Sequence, residues 1–407
     1  MADTPQYDLY SPAFKANAYQ TYALMREQAP VCHNTGLDGE NKLWFITRYV
    51  DGEAVLRDHK RFVKNYRDTL TPTERAQLPP ESRLQRLLNQ HLLNVDGADH
   101  VRLRVLVNKA FTAQMVNRLQ GRVQTIADQL LDQLHALGHM DLIDDYAFPL
   151  PIIVIAEMLG VPAADRERFR VWSNAFVSPS LTPDEWAKTQ QLMLEFTEYL
   201  GQIFAERRRN PKDDLITALI QAEEAGDKLS EEELYSMVIL LIVAGHETTV
   251  NLIGNGMLAL LQDSEQLALL KNQPELMPNA IEEFLRYDGP VERATPRFAA
   301  EDVKIGGQVI RRGEAVFVVL AGADRDPKTY VNPDQLDVTR ENNRHLAFGM
   351  GIHYCLGAPL ARMEGRIAVS TLLNRLPNLR LALPVTQLSW RPNTFLRGLQ
   401  AIPVVWD

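Results

Sequence analysis

Apolar positions along the chain recur mostly every three to four residues, a spacing that predicts a protein built largely of helices. The pattern is almost continuous from Asp99 to about Leu285. Leu192, Phe196, Tyr199 and Ile203 form one stripe, and Ile216, Leu219 and Ile220 continue it after Pro211; such stripes are core faces. Asp213-Asp214 marks a helix start. Ser230-Glu-Glu-Glu233 reads as a capping box opening a long helix to about Gln262. Further helices are expected over about Pro12 to Gln28, around Arg83 to Leu92, and over 356–376. Short β-rich runs interrupt this texture at Leu43 to Thr47, Val303 to Ile305, Gln308 to Ile310 and Ala315 to Leu320, and the tail from about Asn393 reads as strand. Gly306-Gly307 between two of these runs signals a hairpin. The pattern predicts a mainly α fold with a smaller β-rich lobe, an α+β class. Its β-rich parts fall at about 30–60, 290–340 and 378–407, and its helical parts at about 98–290 and 356–376. With no repeat or linker in the pattern, residues 1–407 are expected to form one domain. Residues 66–94, with Pro72, Pro79 and Pro80, form a long irregular connection, which in a compact domain is more often a functional lid than filler.

Composition narrows the partners. Charge sums to −9, from 43 basic and 52 acidic residues, which argues against nucleic acid as the main partner. Cys32 and Cys355 are the two cysteines, so a disulfide scaffold is excluded and a reducing, cytoplasmic setting is expected. No signal peptide is visible in Met1 to Asp8. The longest apolar run, Met237 to Gly245, is less than half of a bilayer span, so no membrane association is expected.

Chemistry concentrates in Phe348-Gly-Met-Gly-Ile-His-Tyr-Cys355-Leu-Gly357, a glycine-rich turn that runs into a helix with Pro359 in its first turn. Gly349 and Gly351 permit backbone conformations closed to other residues and a close approach to something flat and bulky. A thiol beside a helix N-terminus is favoured as thiolate, which makes Cys355 a nucleophile or a metal ligand. A nucleophile needs a base, and His353 lies two residues away, without a protease-like signature. A zinc site needs several ligands at fixed spacing, which a lone cysteine does not supply.

The stretch from Phe348 to Gly357 resembles the cysteine-ligand loop of the cytochrome P-450 family, the haem-thiolate monooxygenases, at every diagnostic position. The resemblance implies the cytochrome P-450 fold, with Cys355 as axial ligand of a b-type haem whose electronics a thiolate tunes toward O–O cleavage. Three remote stretches carry the same resemblance. Glu283-Phe-Leu-Arg286 matches the family's E-x-x-R motif, with both charges on one helix face; with Arg340 of Asp337-Val-Thr-Arg340 it implies a buried ion network supporting the pocket. The family usually has an aromatic residue where this chain has Leu336. Ala244-Gly-His-Glu-Thr248-Thr249 lies midway along the long helix. A zincin reading of His246-Glu247 fails because the fifth position is Val250. In the family this stretch passes over the haem, with Ala244 against it and an acid–alcohol pair, Glu247 and Thr248, that handles dioxygen and protons. Thr248 can bond the carbonyl of Ala244, and beside Gly245 the helix is expected to distort and make room for dioxygen and water. Asp96-Gly-Ala-Asp-His100-Val-Arg-Leu-Arg104 puts His100 and Arg104 on one helix face. By resemblance these two, with Arg297 and His353, bind the haem propionates, and Phe348 flanks the haem.

The family's activity inserts one atom of O2 into a small-to-medium apolar organic substrate. Leu92, Phe176, Leu240, Val243, Val291, Ala294 and Phe395 are the candidate pocket residues. A chain of 407 residues leaves no room for a fused reductase, so electrons are expected from a ferredoxin and an NAD(P)H-dependent ferredoxin reductase. A basic face holding Arg104, Arg362 and Arg366 is the candidate dock. Two rival readings are a hydrogen peroxide-driven peroxygenase and a non-catalytic haem-binding sensor; the Glu247–Thr248 pair disfavours both.

Overall fold

The computed structural model describes residues 6–407 except 37–40, 166, 167, 170, 173, 174, 176–182 and 225; Phe176 lies outside the described residues. The helices Gly97–Ala110, Ala113–Leu134, Pro149–Leu159, Pro183–Arg209, Glu231–Gln262, Met277–Asp288 and Ala358–Arg375 enclose the largest core. The predicted capping box is present: Ser230 Oγ accepts from the Glu233 N–H at 3.2 Å, and the Glu233 carboxylate accepts from the Ser230 N–H at 2.8 Å. The 32-residue helix that follows is buried along its whole second half, from Thr249 to Leu260. By length and apolarity it could cross a bilayer, yet 67% of its most apolar window is buried against the rest of the protein, as befits a core helix. The helix runs unbroken past Gly245, where the sequence suggested a distortion. Gly245 faces the helix Pro149–Leu159, where a Cβ would make an ordinary contact, 3.4 Å from Ile155 Cδ1.

The β-rich lobe centres on a five-stranded sheet in the order Val31–Thr35, Lys42–Ile46, Ala315–Val318, Arg297–Ala299, Phe62–Val63. Its one parallel pairing joins Leu43–Ile46 to Ala315–Val318, so the early segment 31–63 and the later segment 297–318 share this sheet. Val303–Ile305 and Gln308–Ile310 form the expected hairpin, with φ of 54° and 83° at Gly306 and Gly307. Three elements differ from the sequence pattern. The helix expected over Pro12 to Gln28 is two, Pro12–Ala16 and Ala18–Gln28, because Asn17 (φ −119°, ψ 25°) leaves helical geometry. His139–Asp141, inside the helical part, is a strand that pairs with Pro403–Val405 after Gly138 turns the chain at φ 70°. The tail is strand only over Pro403–Val405. Residues 390–399 form a loop held by isolated bridges, Trp390 to Leu399 and Val291 to Leu396.

The N-terminal helices dock by buried polar groups. Lys15 and Tyr22 both bind the wholly buried Glu292, Tyr22 donating to Oε1 at 2.6 Å. Arg293 donates to the Leu9 carbonyl at 2.8 Å, and Arg397 donates to the Lys15 carbonyl at 2.9 Å and to Asp288 at 2.7 Å. These contacts pin residues 288–297 and 395–397, two walls of the expected pocket, to the start of the chain.

Candidate active site

Cys355 sits three residues before Ala358, the start of the helix Ala358–Arg375, as the sequence implies. Its N–H donates to the Phe348 carbonyl at 2.9 Å, which closes the loop. Burial pushes the thiol up from its ordinary value, opposed by the N–H groups of Gly357 and Ala358 and the charges of Arg104 and Arg362. The helix-start donors therefore act in the expected direction, while exclusion of water outweighs them. The two loop glycines are set by chain geometry: Gly349 and Gly351 have φ of 69° and 71°, and a Cβ on Gly351 would lie 2.8 Å from the Leu56 carbonyl oxygen. Gly351 closely approaches the end of the helix Tyr49–Arg57. Arg362 stacks over the Phe348 ring at 4.5 Å and forms a two-bond ion pair with Glu282, at 2.6 and 2.7 Å. Arg366 lines, with Arg362 and Glu282, a neighbouring groove of about 320 Å³.

Beside this loop the structure gathers the cationic residues singled out by sequence. His353 Nε2 lies 3.1 Å from Asp96 Oδ1, and the His100 and His353 rings meet edge-on at 4.6 Å. Arg104 donates to the Tyr354 carbonyl at 3.1 Å. Arg297 is buried on the central sheet. One further cation joins them: Lys64, buried, with Nζ held by Thr295 Oγ1 at 2.6 Å and the carbonyls of Pro296 and Thr295 at 2.7 and 3.1 Å. Burial lowers Lys64 well below its ordinary value and takes Arg297 down to about 10; their mutual repulsion works the same way on Lys64, and Asp96 opposes on both. Burial also takes His100 to about 4, with His353 and Arg104 adding to the effect. Asp96 is the anion these groups share. His100 Nε2 and Arg297 Nε are buried without a hydrogen-bond partner. A pocket that gathers Arg104, Arg297 and Lys64 around one carboxylate, with a ring nitrogen and a guanidinium nitrogen left unpartnered, is short of hydrogen-bond acceptors.

On the long helix, Leu240, Ala244 and Thr248 follow one another at four-residue intervals, each open in part, with Val243 beside them. Thr248 Oγ1 donates to the Ala244 carbonyl at 2.8 Å, as expected. Glu247 is buried; its Oε1 accepts from Arg391 Nη1 at 2.8 Å and its Oε2 has no partner. Of the other pocket candidates, Val291, Ala294 and Phe395 are half-buried, and Leu92 is buried. The Phe395 carbonyl accepts from the Glu292 and Arg293 N–H groups at 2.7 and 3.3 Å, which sets 291–294 beside 395.

The charged network away from the pocket is complete. Glu283 is fully buried and accepts two bonds from Arg286 at 2.7 Å, two from Arg340 Nε at 3.1 and 3.2 Å, and one from the Asp337 N–H at 3.0 Å. The two guanidiniums also reach the carbonyls of Asp324, Val331, Asn332, Pro333 and Gln335, which fixes that irregular stretch. Leu336 is buried in the main core despite replacing the family's aromatic residue.

The "Cytochrome P450" family profile matches residues 163–378. A "Cytochrome P450" of Bacillus subtilis (strain 168) is 48% identical over 396 residues, covering 97% of this chain and 96% of the relative. The chain is a cytochrome P450. Cytochrome P450 monooxygenase PikC of Streptomyces venezuelae is 45% identical, covering 97% and 92%. A solved structure titled Bacillus subtilis 168 Bacillaene Polyketide Synthase (PKS) Cytochrome P450 PksS superposes at a TM-score of 0.92, with 41% identity and coverage of 99% and 100%. This P450 is thus a monooxygenase, an oxidoreductase of the bacterial kind, and its family's cofactor is haem. P450 monooxygenases act on small molecules with O2 and redox partners. The residues present fit a haem: two orphaned nitrogens within a cationic cluster suit two propionates, and a thiol with two N–H donors suits an axial sulfur.

Lys64, Arg391 and Glu364 were not singled out from sequence. Glu364 lies on the cysteine helix, buried against Thr249 of the long helix, its Oε2 unpartnered and its carboxyl raised to about 8 by burial. Its signal was available: a carboxylate at a core position of an otherwise regular helix.

Proposed function

We propose that residues 1–407 act as one haem-thiolate monooxygenase domain, with Cys355 as the axial ligand of haem b. The observation that carries this reading is the cationic cluster with its orphaned His100 and Arg297 nitrogens beside the cysteine loop. His100, Arg104, Arg297 and His353 would hold the propionates. Lys64 adds charge, and Asp96 orients His353. Bound haem supplies the iron at which dioxygen is activated. The chain's own part in handling protons would belong to Thr248 and Glu247. Thr248 presents a hydroxyl anchored to the Ala244 carbonyl, and Glu247 keeps one carboxylate oxygen free to accept and release a proton. Ala244, Phe348, Leu240, Val243, Val291, Ala294 and Phe395 exclude water and bind an apolar, small-to-medium organic substrate, with Leu92 behind them.

The polyketide synthase named for the solved relative favours a polyketide-type scaffold as the substrate class. Electrons would come from a ferredoxin and its NAD(P)H-dependent reductase, docking near Arg104, Arg362 and Arg366 in the cytoplasm. The salt link of Arg362 to Glu282 leaves Arg366 the freer contact of the three. The test is spectroscopic. The reduced protein under carbon monoxide should show the red-shifted Soret band of thiolate ligation, and Cys355→Ser should lose it. A histidine-type band in the wild-type protein would overturn the assignment.

A further inference from the structure

The Glu247 carboxylate is asymmetric. Its side chain is 6% exposed; Oε1 is clamped by Arg391 Nη1 at 2.8 Å, while Oε2 is buried without a partner, 4.0 Å from His246 Nε2. Arg391 is 28% exposed, so this ion pair links the buried carboxylate of the long helix to a partly exposed group. The arginine is itself held firmly. Its N–H donates to the Gly398 carbonyl at 2.9 Å, and Asn393 Oδ1 accepts from the N–H groups of Phe395 and Leu396 at 2.8 Å each, closing a compact loop over 391–398. A buried carboxylate left without a counter-charge would swing toward solvent or toward other donors. One that is clamped at a single oxygen keeps the other in place.

We propose that Arg391 is a positioning residue for dioxygen activation: by clamping Oε1 it holds the Glu247 carboxylate in place, so that protons pass from solvent at the Arg391 edge through that carboxylate to Thr248. The inference rests on the proposed proton-carrying role of Glu247. The step balances without electron transfer. The carboxylate takes a proton from a hydronium ion in solvent at the Arg391 edge, leaving water, and becomes a carboxylic acid. It then gives that proton to Thr248 Oγ1, which hands its own hydroxyl proton to the dioxygen being reduced, and both the hydroxyl and the carboxylate are restored.

Three variants test this: Arg391→Gln, Arg391→Lys and Glu247→Gln. Each is assayed with reductant and dioxygen and, separately, with hydrogen peroxide, which needs no such relay. Arg391→Gln should lower reductive turnover about tenfold and raise its solvent deuterium isotope effect. Peroxide turnover should stay within about twofold. Arg391→Lys, which keeps the charge, should recover most of the loss. Crystal structures supply a readout independent of turnover: in Arg391→Gln the Glu247 carboxylate should have left its present position. An equal fall of both turnovers, or a Glu247 that does not move, overturns the proposal. If Glu247→Gln alone lowers the reductive-to-peroxide ratio, Arg391 is structural and the relay stands. If Glu247→Gln leaves that ratio unchanged, the relay itself falls.

Discussion

Glu283→Gln isolates the energetic role of the ion network. The substitution preserves shape, yet it removes the negative charge between two buried guanidiniums and turns one acceptor oxygen into a donor NH2. That group would then face the N–H groups of Arg286 or Arg340. Breaking one member of a buried ionic cluster typically costs about 3–5 kcal/mol, because the remaining charges stay buried without compensation. For a chain of 407 residues, an unfolding entropy of about 2.1 cal/mol/K per residue converts this into a melting temperature lower by about 4–6 °C. The comparison is Glu53→Gln, which removes a partly exposed carboxylate paired with Arg57 and Arg344 at 3.0 and 2.7 Å and should cost about 0–1 kcal/mol. Urea unfolding followed by tryptophan fluorescence, with thermal melts alongside, measures both. If the two variants lose the same small amount, the cluster does not hold the 324–340 stretch, and the argument from burial and bidentate geometry is refuted.

Two further outcomes follow from the site. Thr248→Ala should divert electrons from product to peroxide, read as hydrogen peroxide formed per NAD(P)H consumed; unchanged coupling would remove Thr248 from the mechanism. Glu364 predicts a pH signature in stability. An exposed glutamate ionises near 4.5, whereas burial holds this proton in the folded chain to about 8. Below pH 4.5 both states keep the proton and the burial costs nothing in this respect. As pH rises to 8 only the unfolded state releases it, so folded stability falls by about 1.4 kcal/mol per pH unit, and the loss persists at higher pH. Glu364→Gln lacks this loss and should gain on the wild-type protein across that window, by about 5 kcal/mol at most. Parallel stability curves for the two proteins would show that Glu364 ionises normally.

Much of the site was legible in the sequence because its chemistry is written in short local spacings. Cys355 within its glycine turn, Glu283 three residues before Arg286, His100 four before Arg104, and Thr248 four after Ala244 each form one-turn or one-loop units. Lys64 and Arg391 lack any such neighbour. Lys64 acquires meaning only by reaching Thr295, 231 positions away, and Arg391 only by reaching Glu247, 144 away. The same limit explains the strand His139–Asp141: three residues carry no period, and the element exists because Pro403–Val405 pairs with it. Gly351 was recognised as a glycine position, but its partner, the end of the helix Tyr49–Arg57, is nearly 300 positions earlier and invisible to local pattern.

The docking of the first two helices onto residues 288–297 and 395–397 sets a timetable for synthesis. The Arg397-to-Lys15 bond joins groups 382 positions apart. At about 5–20 residues per second, the ribosome needs roughly 20–75 s to deliver the partner after Lys15 has been made. Throughout that interval Phe14, Tyr22 and Met25, all buried in the finished protein, have no final surface to cover them. The early segment is therefore the natural place for a chaperone to bind the nascent chain, and folding of the β-rich lobe can be completed only as the last residues emerge.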